Sequence, residues 1–299
     1  MKAVAVFSPA KINLCLGLTG RRADGFHSLY SAVATLCFGD HLWAAYSGSG
    51  GDVLECGMPG VPTDGSNLVL KAAQAFREAT GLKDSFHFTL EKAIPPGSGL
   101  GGGSSNAVAA WRALEALTGR RVPTAMLAKI LAELGSDCPL FLQPNGTIMR
   151  GRGEILEDLP AGWFRRLREY RVLLAIPGFS IDTAWAYRRF TAGGGCFREE
   201  TELRARVEGF AEGTLPVEDL LTNDFEPVVA GKYLAFAEAI HHLREHLRIP
   251  CLLSGSGSAF FCLISREEEL RQAECYLKVG FGKGISCIGT RFTSPFGGV

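Results

Sequence analysis

The 299-residue sequence predicts a fold that mixes helices and strands, either α+β or α/β, and three observations carry the prediction. Phe86-His87-Phe88-Thr89-Leu90-Glu91 alternates apolar and polar residues with the period of a half-buried strand. Two runs with helical periodicity follow it. The second half repeats the mixture, with an apolar strand pattern from Arg171 to Ile176 and a helical one from about Tyr233 to Leu247. At roughly 150 residues per domain the length fits two domains. The turn-rich segment Pro144-Asn145-Gly146 through Arg150-Gly151-Arg152-Gly153 is the expected boundary, giving domains at 1–150 and 151–299.

Taken in order, Pro95-Pro96 stops the first strand, and five glycines lie between Gly97 and Gly103. Ser104-Ser105 opens a helix in which Val108, Trp111, Leu114 and Leu117 recur at three- and four-residue steps, and Gly119 is placed to end it. A second helix spans Thr124 to Leu134, with Leu127, Ile130, Leu131 and Leu134 on one side and Gly135 as its stop. Gly135-Ser136-Asp137-Cys138-Pro139 follows, where Ser136-Asp137 before Pro139 suits a helix-start cap. Thr191 to Arg206 combines three glycines with many charges and reads as an exposed excursion. The helix from Tyr233 precedes a second glycine-serine loop, Ser254-Gly255-Ser256-Gly257-Ser258, which leads into the apolar run Ala259 to Ile264. A last strand is expected from Gly284 to Thr293.

Composition excludes several function classes. Lys plus Arg equals Asp plus Glu at 31 each, so the net charge is zero and the cation surplus of a nucleic-acid binder is missing. The nine cysteines are an odd number without a CxxC pair, which fits neither a disulfide scaffold nor a zinc ribbon. Most are expected to be small buried hydrophobes of a reducing compartment. No signal-peptide pattern opens the sequence, and its longest uncharged stretch, Ile249 to Ser265, is too polar for a membrane span. A cytoplasmic protein without membrane or nucleic-acid partners is expected.

The glycine run at a strand-to-helix junction is the main chemical signal. Without Cβ atoms the backbone wraps closely around a ligand and turns its N–H groups inward, and the following helix adds the positive end of its dipole. The product is an anion cradle suited to phosphates. Gly97-Ser98-Gly99-Leu100-Gly101-Gly102 matches GxGxxG in form, but no acid stands about 20 residues on, as a dinucleotide site requires. No lysine follows the last glycine, which removes the P-loop. Ser104 and Ser105 follow instead, two hydroxyls within reach of phosphate oxygens or Mg²⁺. His242-Leu243-Arg244-Glu245-His246 matches a zinc-peptidase pattern, yet its helix buries Phe236, Ile240, Leu243 and Leu247 and turns the histidines to solvent. The metal reading is rejected.

These residues resemble the GHMP kinases. Three patterns occur in that family's order: Pro9-Ala10-Lys11-Ile12-Asn13-Leu14, Pro96-Gly97-Ser98-Gly99-Leu100-Gly101-Gly102-Gly103-Ser104-Ser105, and Leu253-Ser254-Gly255-Ser256-Gly257-Ser258. Within the family, Gly20-Arg21-Arg22-Ala23-Asp24-Gly25-Phe26-His27, Gly135-Ser136-Asp137-Cys138-Pro139, Gly151-Arg152-Gly153-Glu154 and Asn223-Asp224-Phe225-Glu226 resemble members that act on a cytidine-diphosphate methylerythritol. The resemblance implies a two-domain α+β fold with the active site in an interdomain cleft. The 1–150 part would be the ATP-binding domain and 151–299 the substrate-binding domain. It implies transfer of the ATP γ-phosphoryl group, with Mg²⁺, to the 2-hydroxyl of the methylerythritol moiety in the non-mevalonate route to isoprenoid precursors.

Carried over by motif, Asp137 is the general base and Lys11 the cation that orients it. Asn67 lies on the adenine side, a position that a turn residue beside Gly65 equally explains. Pro96, Gly97, Ser98, Gly99, Leu100, Gly101, Gly102, Gly103, Ser104 and Ser105 hold the triphosphate, and Ser105 is a possible Mg²⁺ contact through Mg-ATP. Asn106 stands where many relatives carry Asp. Asn13, His27 and Thr183 contact the cytidylyl alcohol, while Phe26 and Tyr187 sandwich its cytosine. Ordinary core packing equally explains the two aromatics, and a structural role His27. A monomer or weak homodimer is expected. Alternatives are a homoserine- or mevalonate-kinase-like activity and a non-catalytic nucleotide-binding module. A dinucleotide oxidoreductase ranks below both.

Overall fold

The computed structural model describes residues 3–48, 50–143 and 145–293. The chain opens with two long strands, β1 (Ala3–Arg21) and β2 (His27–Tyr46), then β3 (Val53–Cys56), α1 (Leu68–Thr80), β4 (Phe86–Glu91), α2 (Gly102–Thr118) and α3 (Thr124–Leu134). A 3₁₀ turn at Pro139–Leu142 leads to β5 (Gly146–Gly151), β6 (Ile155–Glu157), α4 (Trp163–Leu167), β7 (Arg171–Pro177), α5 (Thr183–Ala192), α6 (Glu200–Glu212) and α7 (Val217–Leu220). The remainder is β8 (Thr222–Asn223), α8 (Glu226–Ala230), α9 (Leu234–His241), β9 (Cys251–Leu253), β10 (Phe260–Ile264), α10 (Glu267–Phe281) and β11 (Ile285–Thr290).

Two compact units result, and neither is continuous in sequence. The first contains 1–10, 38–96 and 101–144; the second contains 11–37, 97–100 and 145–299. In the first unit β4 pairs antiparallel with β2 over His41↔Glu91 to Tyr46↔Phe86, and parallel with β3. Phe86 and Phe88 are fully buried from β4, and Phe76 of α1 meets Trp111 of α2 edge-on at 5.1 Å. Strand β4 and helices α2 and α3 keep the sequence-expected limits, except that α2 starts at Gly102, two residues before Ser104. Glycines 119 and 135 follow the two helices as expected.

The second unit holds an antiparallel four-stranded sheet ordered β11-β7-β10-β9. It also holds β5, paired antiparallel with β2 over Leu29↔Gly151 to Ala34↔Gly146, and β8, paired parallel with β1 at Cys15↔Thr222. Phe236 of α9 packs edge-on against Phe260 of β10, and Trp163 of α4 against Phe210 of α6.

Several sequence expectations need correction. The turn-rich stretch around residues 145–153 carries strand β5, whose Thr147, Ile148 and Met149 are buried. Gly146, read as a turn, serves close approach: a Cβ there would stand 2.1 Å from Val33 O, at φ +122°. Pro144 lies outside the described residues. The expected excursion from Thr191 to Arg206 ends in α6, which buries Leu203 and Val207 between its charges. The helix at 233–247 is α9 continued by a π-helical stretch at His242–His246, and Leu247 is only half-buried. Of the nine free cysteines only Cys15, Cys138, Cys251 and Cys262 are buried. The last strand is shorter than expected, and beyond it Phe292 bridges to Leu36 of β2, within the 1–150 part.

Candidate active site

In the second unit, β1 presents Lys11 and Asn13 two residues apart, hence on one face of the strand. Each is only 5% exposed. A buried ammonium needs partners. Lys11 Nζ donates to Asn13 Oδ1 at 2.7 Å, Asn13 Nδ2 to Ser31 Oγ at 2.9 Å, and Ser31 Oγ to Cys15 O at 2.7 Å. The relay fixes the lysine and engages one position at each end of the Asn13 amide. The Lys11 backbone N–H also donates to Leu100 O at 2.9 Å, tying the strand to the glycine turn.

Residues 97–100 pack against the second glycine-serine loop. Ala259 N donates to Ser98 O at 2.9 Å and Ser254 Oγ to Gly99 O at 3.1 Å. Gly99 has φ +80°, and a Cβ on it would fall 2.2 Å from Ser254 O, so the site admits glycine alone. Gly255 backs onto the lysine, its Cβ direction 3.2 Å from Lys11 Nζ. Sequence reasoning left the anchors of this loop without a role. Asn223 Nδ2 donates to Leu253 O and Gly255 O, both at 2.8 Å, and its Oδ1 accepts from Phe225 N. Glu226 receives both terminal nitrogens of Arg244, at 2.6 and 3.0 Å, and Leu253 N at 3.1 Å. The Asn-Asp-Phe-Glu string was the available signal.

Helix α5 carries the expected acceptor-side residues. Asp182 caps it by accepting from Trp185 N at 2.6 Å, which fixes Thr183 in the first turn, with Thr183 Oγ1 2.9 Å from Ser256 Oγ. One turn on, Tyr187 stacks on His27 at 5.2 Å between ring centroids and meets Phe225 edge-on. His27 Nε2 is 3.1 Å from Thr191 Oγ1. Burial, and secondly Arg21, hold the His27 imidazole below its ordinary basicity. Phe26 is 52% exposed and carries the Arg152 guanidinium 3.8 Å above its ring. The ring stacked on Tyr187 is thus His27, and Phe26 is engaged by a cation.

In the first unit, Gly101 enters α2 at φ +72°, and Gly102 to Ser105 form the first turn. The leading N–H groups of a helix lack intrahelical acceptors, which makes this end a donor cluster. Ser105 is buried and accepts from Ser8 Oγ at 2.8 Å, whereas Ser104 is half-buried and bonds the Cys138 thiol. Burial pushes that thiol up to about 11, opposed by the Ser104 bond and reinforced by the Asp137 charge. Asp137 sits half-buried in the Gly135–Cys138 turn. The 3₁₀ turn after it has Cys138 as its N-cap residue. Asn67 is the N-cap of α1: its Oδ1 accepts from Val69 N at 2.9 Å and its Nδ2 donates to Pro62 O at 2.6 Å.

The zinc-like string takes a structural part. His242 stacks on Tyr276 at 3.8 Å and Arg244 serves Glu226, and no group of three metal-ligating acids, histidines or cysteines occurs among the described residues. A cavity of about 850 Å³ in the second unit is walled by Trp185, Arg189, Asn223, Asp224 and Lys232 among others, and by none of the expected site residues. No helix among the described residues is long and apolar enough to cross a membrane.

Comparison with known proteins supplies the context. Residues 67–143 match the model of the GHMP kinases N terminal domain. The chain is 40% identical over 276 residues to a 4-diphosphocytidyl-2-C-methyl-D-erythritol kinase of Chlorobium phaeobacteroides (strain BS1), covering 92% of each. Among solved structures, a 4-(cytidine 5'-diphospho)-2C-methyl-D-erythritol kinase is 30% identical with a TM-score of 0.77, covering 97% of this chain and all of the other. A homoserine kinase from Cytophaga hutchinsonii reaches a TM-score of 0.72 over 97% of this chain and 95% of its own, at 18% identity, a likeness of fold alone.

Proposed function

The chain belongs to the GHMP kinases and is a small-molecule kinase, and we propose that it phosphorylates the 2-hydroxyl of 4-diphosphocytidyl-2-C-methyl-D-erythritol with ATP as donor. The observation that carries the acceptor is the 40% identity, along 92% of both chains, to a relative bearing that name. The homoserine kinase shares the fold at 18% identity, too little to carry its substrate across. A cytosine-binding aromatic set has no use in homoserine or mevalonate kinases, and a silent module has no need of both Lys11 and Asp137.

Phosphoryl transfer asks the protein mainly for in-line positioning and for neutralisation of charge. Backbone N–H groups from Leu100 to Ser104 receive the phosphates, aided by the α2 dipole. Pro96 to Gly99 shape the approach, and Asn67 flanks the adenine. Hydroxyl oxygens are hard ligands suited to Mg²⁺, and a magnesium ion commonly keeps one or two protein ligands beside substrate phosphates. Ser104 and Ser105 fit that role, and the ion supplies charge neutralisation on the transferring group. Asp137 takes the proton of the 2-hydroxyl as its oxygen bonds the γ-phosphorus, and the bond from that phosphorus to the ADP oxygen breaks. Lys11 offsets the negative charge gathered there, and Asn13 holds Lys11 in place.

On the acceptor side Asn13, His27 and Thr183 meet polar groups, and Phe26 and Tyr187 face the cytosine. The 1–150 part serves ATP and 151–299 the acceptor, joined by Asn13, Phe26 and His27 of the second compact unit. The enzyme works in the cytoplasm as a monomer or weak homodimer. A coupled ADP-release assay over a panel of alcohols tests the reading. Turnover is expected with the cytidylylated methylerythritol and at background with homoserine and mevalonate; a preference for either of those overturns it.

A further inference from the structure

Asp40 of β2, one residue before the pairing with β4 begins at His41, is completely buried, yet sequence reasoning gave it no role. Its carboxylate accepts four hydrogen bonds. Ala93 N and Ile94 N donate to Oδ1, each at 2.8 Å. Lys92 Nζ donates to Oδ2 at 2.5 Å and Asn106 Nδ2 at 2.8 Å. Four donors fill the lone-pair positions of an ionised carboxylate. Asn106 closes the circuit: its Oδ1 accepts from Lys92 Nζ at 3.0 Å, and its Nδ2 also donates to Ser8 Oγ, which donates to Ser105. The Lys92 side chain is only 4% exposed, and its Nζ lies against Gly102, the first residue of α2.

The order of these contacts along the chain matters. Ala93 and Ile94 precede the glycine turn, separated from Gly97 by Pro95 and Pro96, and Ser105 and Asn106 follow it after Ser104. One carboxylate thus holds both flanks of the segment. Glycine-rich chain is costly to order. A phosphate cradle left loose imposes that cost on each binding event, whereas one held by its flanks meets it once, at folding.

We propose that Asp40, with Lys92 and Asn106, is a positioning device of the triphosphate-binding turn, fixing its two flanks and, through Ser8, the Ser105 hydroxyl. The proposal rests on the kinase reading above and adds to it the means by which the turn is preorganised. None of the three residues needs to touch nucleotide for this role. A buried ion pair contributes little net stability, which fits a positioning use better than a stabilising one.

The test measures ATP affinity by calorimetry and, in parallel, the Michaelis constants for ATP and for the acceptor. Asn106→Ala, which cuts the link from Asp40 to α2 while leaving the ion pair paired, is expected to weaken ATP binding at least tenfold. The acceptor constant should change less than twofold. Adding Asp40→Asn to Asn106→Ala should cost less than the two losses combined, since groups in one network are not additive. Should Asn106→Ala fail to fold, Ser8→Ala removes a single hydroxyl and should raise the ATP constant two- to fivefold, with Ser8→Thr restoring it. A folded Asn106→Ala or Ser8→Ala enzyme with wild-type ATP affinity overturns the proposal, as does equal weakening for ATP and acceptor. Wild-type protein that binds ATP without phosphorylating the cytidylyl alcohol defeats the acceptor reading instead, and the affinity comparison still decides this one.

Discussion

In the first unit the flanks of the glycine turn are tied to the buried carboxylate of Asp40, whereas in the second unit the Ser254–Ser258 loop is held by the neutral amide of Asn223. The first arrangement is charged and closed to solvent, with Asp40 at 0% exposure. Breaking one partner of such a pair costs about 3–5 kcal/mol, against about 1–3 kcal/mol for an unsatisfied neutral group. The expected acceptor residues differ again: Phe26 is half-exposed, Thr183 lies at the surface, and Tyr187 rests on a histidine. The lesson is a division of labour. The flanks of the glycine turn are set during folding by buried hydrogen bonds, whereas Phe26 and Thr183 stay exposed.

Substitutions should separate the two sides in a definite order. Asp137→Asn keeps the shape and removes the carboxylate proposed as the base, so turnover should fall by about 10²–10⁴ with both substrate affinities nearly intact. Stopped-flow single turnovers would check it, and wild-type turnover would remove Asp137 from the chemistry. Gly99→Ala forces a left-handed residue against Ser254 O. Strain alone should cost about 1–3 kcal/mol, with the backbone clash added, read as a lowered urea midpoint. Tyr187→Ala should cost about 1–3 kcal/mol of acceptor binding if the ring stacks on cytosine, by analogy with bases on aromatic platforms, and leave the ATP constant unchanged. An unchanged acceptor constant would return Tyr187 to plain packing.

The smallest expected effect concerns pH. Burial and then Arg21 hold His27 below its ordinary basicity, so the unfolded chain takes up the proton first as pH falls. Stability from this group is full above the usual histidine range and is lost as pH drops through it toward the lower folded value. His27→Gln should therefore flatten the acid limb of a stability-against-pH curve. An unaltered limb would show that other groups set it.

What the sequence reveals depends on how many faces of an element are buried. Strand β4 and helix α3 each bury one side, so periodicity locates them almost to the residue, whereas α2 is buried all round from Ser105 to Trp111 and is located by its large apolar residues and the glycines at its two ends. Strand β1 is buried without a break from Ala10 to Leu18, and β2 from Leu29 to Leu36; with both faces covered neither shows a period. Helix α6 hides because Arg204, Arg206 and Glu208 interleave with buried Leu203, Val207 and Phe210. The glycine turn is legible because its backbone demands glycine in the sequence itself. Asp40 is not, because its donors come from residues 92–94 and 106, all more than fifty positions away along the chain. The Asn223 and Glu226 anchors are written in a recognisable string whose mechanical purpose only the folded chain discloses.

The most direct measurement is the identity of the product. Wild-type protein incubated with MgATP and the cytidylylated methylerythritol should give, by phosphorus NMR, one new phosphomonoester signal coupled to the substrate's 2-position, with an equal amount of ADP. ADP released without that ester, or a phosphate placed on another hydroxyl, would contradict the account.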